Sequence, residues 1–373
     1  MSAPQIFSEE DISNLTYRRT KYVHEMIRDI PPAKPSKITR KASIASLGEL
    51  DLLPMELLLL ILRFLEFQSL SRISRVSLTG KDIVEALPEY KDMMTHAPET
   101  LRALGMTRLL QCHSAPLLHQ TLWSDKCVSC FEFGGFLFLP TCERVCVNCL
   151  FSNDALRMTT RAIAKQCFGL TDKHLKRIPT MYSIPGTYTL WFRISRKRVY
   201  RLVSVKQAKQ LAIEVHGSAE NVAKLMPKDP VEPMTERQFS IFKQFHEASL
   251  EPGACDLARL PGDDGVIRDD YCSMASIRFP YLTDAGAYYG RMCRGCFVTC
   301  EHYQRDWVPA RVLSKLVPPG VEPDHVLNRA IYRLHSKDGF LEHVKDCHGV
   351  PLVLAVREGD WRDPSEVRPR FIN

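Results

Sequence analysis

Two Cys-x2-Cys pairs, Cys127/Cys130 and Cys146/Cys149, stand fifteen residues apart in this chain. That spacing matches a four-thiolate zinc site. Each pair makes a turn that aims two sulfurs at one point. The intervening FEFGGFLFLPTCERV brings the pairs together as a hairpin, with its turn expected at Gly134-Gly135 between Phe131/Phe133 and Phe136/Phe138. A structural zinc adds on the order of 10–16 kcal/mol of apparent binding energy to folding, so this pattern constrains the fold more than local propensity does. Cys142 is a fifth thiol nearby, either a substitute ligand or a spare. The bland alternative is four buried thiols packing as small hydrophobes.

A second candidate site lies toward the C-terminus. Cys293-x2-Cys296 is followed, 46 residues on, by His343-x3-Cys347. Ser336 can cap a helix running from Lys337 through Cys347, packed through Leu341 and Val344, on which His343 and Cys347 are one turn apart and share a face. Cys300, His302 and His348 are competing ligands. Neither set leaves an open coordination position, so both read as structural, with one or two zinc ions expected.

Thirteen cysteines, and no basic and apolar leader in the opening MSAPQIFSEEDISN, point to a reducing compartment, cytoplasm or nucleus rather than secretion. The longest apolar run, Leu57 to Leu62, is far shorter than the roughly 20 residues of a membrane span. HExxH, GxSxG, GxGxxG after a strand and a Walker-type loop are all missing. Cys112-His113, Cys167, Cys255 and Cys272 carry no nucleophile signature. The net charge is +7, but residues 155–216 hold 13 Lys/Arg against Asp172 and Glu214, a local +11. Such a tract is either a solvated face or a surface for an acidic partner or nucleic acid.

Along the chain, residues 1–46 read as a flexible tail, with short helical stretches near Leu15–Ile30 and a Pro/Lys/Ser linker at 31–43. Residues 50–110 are helical in pattern. Pro54 sits early in a helix whose Leu57, Leu58, Ile61, Leu62 and Leu65 form a wide apolar stripe. Ser69 can cap a second helix with Leu70, Ile73 and Val76. Thr79-Gly80 break the pattern, and Asp82 to Leu87 form a third piece that Pro88 ends. Farther on, two strands are expected within Tyr188–Val203, with Arg196-Lys197-Arg198 near their turn. Helices follow at Lys206–Val215, closed by Gly217, and at Thr235–Glu247, with loops at PGDDG (261–265) and VPPGVEP (317–323).

From Leu50 to Ser77, LDLLPMELLLLILRFLEFQSLSRISRVS resembles an F-box, through Leu53-Pro54, Glu56-Leu57-Leu58, Ile61-Leu62, Leu65, Ser69-Leu70-x-Arg72 and Val76. Met55 and Thr79-Gly80-Lys81 are ordinary variants. The match covers about 45 residues. A looser similarity, in order and spacing, extends to F-box proteins common in filamentous fungi, where the F-box precedes a cysteine-knuckle region and a terminal Cys-x2-Cys with a His/Cys helix. The resemblance implies a non-catalytic substrate receptor. It would bind a Skp-type adaptor and, through it, a cullin–RING ubiquitin ligase, holding a protein substrate close to the ubiquitin donor. It also implies that Leu53, Pro54, Leu57, Leu58, Ile61, Leu62, Leu65, Leu70 and Val76 divide between adaptor contact and the F-box core.

The expected fold is thus α+β and helix-rich: a three-helix F-box at 47–95, then an irregular, zinc-stabilised mixed region at 96–373. Within the latter, a ribbon-like hairpin occupies 123–150 and the second site 290–350. Two other functions are consistent with the residues. One is a zinc-dependent nucleic-acid binder using the basic 155–216 tract beside Tyr188, Trp191, Phe192 and Tyr200, which would bind with a steep salt dependence. The other is a RING-type ligase, which needs about eight interleaved ligands, whereas five cysteines lie in 127–149.

Overall fold

Short helices joined by tight turns make up most of the computed structural model, which describes residues 7–17, 26–27, 30, 46–190, 192–230, 232, 234–251 and 271–355. The strands form small sheets of two or three members, so the chain is helix-rich α+β as expected. The linker at 31–43, Cys255 and the 261–265 loop lie outside the described residues.

The first helical array starts at Pro54, the N-cap of helix Met55–Arg63. The next helix, Phe67–Val76, begins two residues before the expected Ser69 cap. Ser69 instead donates its hydroxyl to the Glu66 carboxylate at the N-cap position. The third helix, Leu78–Ala86, runs through Thr79-Gly80 rather than starting after them. Ser77 caps it by accepting from Gly80 N at 2.9 Å. A Cβ on Gly80 would lie 2.7 Å from the Ile73 carbonyl oxygen, so this glycine permits a close approach to the preceding helix. Pro88 ends one helix and opens the next, Pro88–His96, where it needs no N–H.

The array does not stop at residue 95. Phe67 stacks on Tyr90 with ring centroids 4.7 Å apart, and Arg63 pairs with Glu89 at 2.9 Å. Helices Pro98–Met106 and Ala115–Leu122 continue the packing. Leu58, Leu62, Phe67 and Leu70 share one apolar core with Phe136, Phe138, Phe297 and Phe340. Three short helices bury too little apolar area to stand alone, and here they draw on the core of the cysteine-rich region.

Strand Phe136–Phe138 lies between Glu143–Val145 and Ser276–Arg278, antiparallel to both. The hairpin is therefore displaced from Gly134-Gly135 to the turn at 139–142. The two glycines serve packing instead: a Cβ on Gly134 would lie 2.5 Å from Arg144 Cγ, and one on Gly135 would lie 2.3 Å from Leu334 Cδ1.

A second apolar cluster, with Phe168, Leu211, Phe242 and Phe245 at its centre, belongs to the middle of the chain. Its sheet is Met158–Thr160, Arg201–Ser204 and Met181–Tyr182, covered by helices Arg161–Phe168, Val205–His216 and Glu236–Glu247. Gly217 closes one helix at φ 87° and Thr235 caps another, as the sequence indicates. The strands expected within Tyr188–Val203 are three segments. Gly186–Leu190 pairs with Phe192–Arg196, and Arg201–Ser204 joins the other sheet.

Part of the N-terminal stretch departs from the expected tail. Helix Glu9–Leu15 carries a Ser8/Asp11 capping box and buries Leu15 completely. Thr16–Tyr17 then pairs antiparallel with Met292–Cys293, and Ile27 N donates to Ser276 O at 3.0 Å. An apolar residue every few positions was enough to anchor this segment, although its overall polarity concealed that.

Candidate metal centres and the exposed leucine ridge

In the first centre, Cys127 and Cys130 flank a tight turn held by Phe131 N to Cys127 O at 3.0 Å and Cys127 N to Glu132 O at 2.7 Å. Val128 N donates to Arg144 O at 2.8 Å, which ties the turn to the strand leading into Cys146. Cys146 is the N-cap of helix Val147–Ser152, and its sulfur accepts from Cys149 N. One ligand atom from each of Cys127, Cys130, Cys146 and Cys149 lies within 4.8 Å of the others.

The second centre joins two helices. Cys293 ends a strand and caps helix Arg294–Gln304, which carries Cys296 in its first turn. Helix Lys337–Asp346, capped by Ser336, supplies His343, and Cys347 is its C-cap. Phe340 and Val344 bury this helix, with Leu341 half-buried beside them. Cys296 Sγ lies 3.1 Å from His343 Nε2, and Cys293 and Cys296 lie 3.7 and 3.9 Å from Cys347. These four also converge within 4.8 Å.

The separations fit a metal ion. A tetrahedral ion with metal–sulfur bonds of about 2.3 Å sets sulfur–sulfur distances of about 3.8 Å. The observed 3.7 Å for Cys130–Cys146 agrees with that, as do the distances to Cys347. A disulfide requires about 2.05 Å, and each described cysteine is free. The protonation pattern is that of crowded, buried thiols. Donation from Cys130, Cys146 and Cys149 holds Cys127 well below the ordinary thiol range, while Cys146, buried beside that thiolate, is held well above it. Donation from Cys293 and Cys296 likewise lowers Cys347. Four adjacent thiolates in the first set, and three beside an imidazole in the second, repel one another unless a cation sits among them, so each set fits a structural ion whose binding expels protons.

The competing ligands stay outside both sets. Cys142 is buried on Thr121, and burial pushes its thiol up to about 12. Cys300 accepts from Gln304 Nε2, and His302 packs edge-on against Trp307. Of the remaining residues, Cys167 and Cys272 are buried, and His113 bonds the Leu139 carbonyl at 2.7 Å.

The leucine stripe divides into two faces. Leu58, Leu62 and Leu70 are buried in the shared core, and Leu53 and Leu65 are half-buried. Pro54 is exposed, as are Leu57 (50%), Ile61 (46%) and Val76 (66%). Leu52, Met55, Leu60 and Phe64 extend the outer face, with Phe64 78% exposed. Sequence reasoning passed over Phe64, although its spacing from Leu57, Leu60 and Ile61 places it on the same helical face.

The basic tract is paired in part, while Lys173, Lys176, Lys197, Arg198 and Arg201 are exposed. Arg161 and Lys165 meet Asp172 at 3.2 and 2.7 Å, Arg177 meets Glu214 at 2.7 Å, and Lys206 meets Glu143 at 3.2 Å. Arg157 pairs with Asp154, and Lys209 donates to the carbonyls of His246 and Ala248. Tyr188 is core, and Tyr200 packs on Tyr271. Trp191 lies outside the described residues.

Among the described residues, no helix is long and apolar enough to cross a membrane. No family model matches this chain, and neither a curated protein nor a solved structure does.

Proposed function

We propose that this chain is a non-catalytic substrate receptor of an SCF-type ubiquitin ligase, and that both cysteine sets hold structural zinc. The observation that carries the first part is the two-faced helix after Leu53-Pro54. Its inner leucines anchor it, while Leu57, Leu60, Ile61 and Phe64 remain in solvent. A contiguous apolar patch of this kind is a docking surface, and its motif is the one through which F-box proteins take a Skp-type adaptor. Thiolate-rich tetrahedral sets favour zinc over harder divalent ions. The pairing of Arg161, Lys165, Arg177 and Lys206 takes part of the basic tract's charge away from a nucleic-acid surface.

Co-expression with a Skp-type adaptor tests the reading. Wild type should co-purify with it stoichiometrically, and Leu57→Glu with Ile61→Glu should abolish capture without lowering the melting temperature. The Leu53→Ala, Pro54→Ala double variant should also lose the adaptor. Retained capture in both would overturn the reading. Elemental analysis should find two zinc ions per chain.

A further inference from the structure

A cleft of about 800 Å3 opens between the two metal centres. Phe131, Glu132 and Phe133, just after Cys130, form one wall. Helix Lys337–Asp346, which presents His343, forms the opposite wall, and Val326, Leu327 and Ala330 of helix Pro323–Ile331 line the space between. The volume lies within the roughly 300–1,000 Å3 of ordinary ligand pockets. One wall follows directly on Cys130 and the other carries His343, so each adjoins a cysteine set.

Phe131 is the informative residue. Its φ of 59° is left-handed, where a bulky aromatic is an outlier. The turn between Cys127 O and Glu132 demands that conformation, and glycine would supply it without strain. The side chain therefore does nothing for the turn. It does nothing for the core either, because it is 71% exposed. A strained backbone that holds an aromatic ring in solvent at a cleft mouth is arranged for a contact outside the chain.

Two further features describe that contact. The charges lining the cleft are nearly balanced, Asp125, Glu132, Glu342 and Asp346 against Lys126, Arg329 and Arg333, and Glu132 meets Arg333 at 3.2 Å while Asp125 meets Lys126 at 3.7 Å. A polyanion or a strongly charged peptide finds little net counter-charge here. In the wall, His335 is only 5% exposed, yet its Nε2 has no hydrogen-bond partner among the described residues. Its ring stacks on His343 at 4.4 Å. Such a nitrogen suits an amide or hydroxyl group of an incoming chain.

We propose that this cleft is the substrate-docking site, and that it takes an uncharged, extended peptide segment whose aromatic or aliphatic side chain packs against Phe131. The assignment rests on the receptor reading for the word substrate, but its physical content is independent of the adaptor.

The test uses the full, zinc-loaded chain and a phage-displayed library of random ten-residue peptides. Selection should enrich uncharged sequences with a recurrent aromatic or aliphatic anchor. Phe131→Gly should weaken binding of the selected peptides at least about tenfold, as expected for a central aromatic contact. Its zinc content and adaptor capture should not change, and its melting temperature should be unchanged or higher, because the left-handed strain is gone. Ala330→Trp, which fills the cleft from another side, should weaken the same peptides. Four results would overturn the proposal: no enrichment, enrichment of charged sequences, equal binding by Phe131→Gly, or a lower melting temperature for Phe131→Gly. Self-association of the chain that Phe131→Gly abolishes would overturn it too, by making a second copy the occupant. If peptides are selected while wild type captures no adaptor, the receptor reading fails and the cleft stands. If the adaptor is captured and no peptide is selected, the reverse holds.

Discussion

Arg144 illustrates what a single residue does here. Its guanidinium is buried and donates to the carbonyls of Gly134 at 2.7 Å, Pro280 at 2.6 Å, Phe279 at 3.2 Å and Thr121 at 3.0 and 3.2 Å. Burial pushes its pKa down to about 9, the largest cause being desolvation. It thus pins the lead-in to the hairpin, the end of helix Ala115–Leu122 and the chain after Ser276–Arg278 to one point. Arg144→Met would leave several buried carbonyls without donors and should cost about 3 kcal/mol or more, read from the denaturant midpoint of the full chain. Arg144→Lys should recover little, because an ammonium cannot span the same fork of acceptors. In the sequence, Arg144 is one charge among fifty Lys/Arg residues. Its partners are backbone groups from three distant segments, and no local pattern announces them.

At the scale of elements, the helix Met55–Arg63 has an inner face that anchors it and an outer face that the proposed docking would use. Leu58→Ala or Leu62→Ala should cost about 2–5 kcal/mol by opening a cavity. Leu57→Ala or Leu60→Ala on the outer face should stay within about 0.5 kcal/mol. Thermal melts of the four variants, set beside adaptor capture, should give opposite orders. The existence of this helix and the width of its stripe were legible in the spacing of its leucines. Which half faces inward was not, since that depends on where Tyr90 and the shared core lie. Gly80 shows the same limit. Local propensity reads Thr79-Gly80 as a break, whereas the helix Leu78–Ala86 runs through both residues and uses the missing Cβ to approach Ile73 O. Gly80→Ala should therefore destabilise, by about 1–3 kcal/mol if the neighbouring helix shifts, rather than gain the usual helix propensity.

Over the whole molecule, the second metal centre also holds the N-terminus. Thr16 is paired with Cys293 itself, so the strand that carries a ligand also anchors residues 16–17. On the proposed zinc reading, Cys347→Ser should lower the bound metal by one ion per chain. It should raise amide hydrogen exchange at Leu15–Tyr17 and Met292–Cys293, while helix Glu236–Glu247 in the separate middle core keeps its protection. Exchange that rises equally in both regions would show that the chain unfolds as one unit. Removal of both ions by a chelator should loosen the two walls of the cleft together, since Phe131 and His343 each sit beside or within a ligand set.

The residue pattern alone carried the eight sulfur and imidazole side chains that converge, their division into two sets, the helix-rich α+β class and the amphipathic helix after Pro54. Each of these is a matter of short-range spacing, which the periodicities of turn and helix translate directly into geometry. Only packing could decide the rest. It moved the hairpin turn away from Gly134-Gly135, docked Leu15 and Thr16 on the C-terminal part, merged the first helices with the cysteine-rich core and split off a middle one. It also set a strained Phe131 across a cleft from His343. Those outcomes depend on groups from separate segments meeting in space, and the free energy that selects them is a property of the assembled interior.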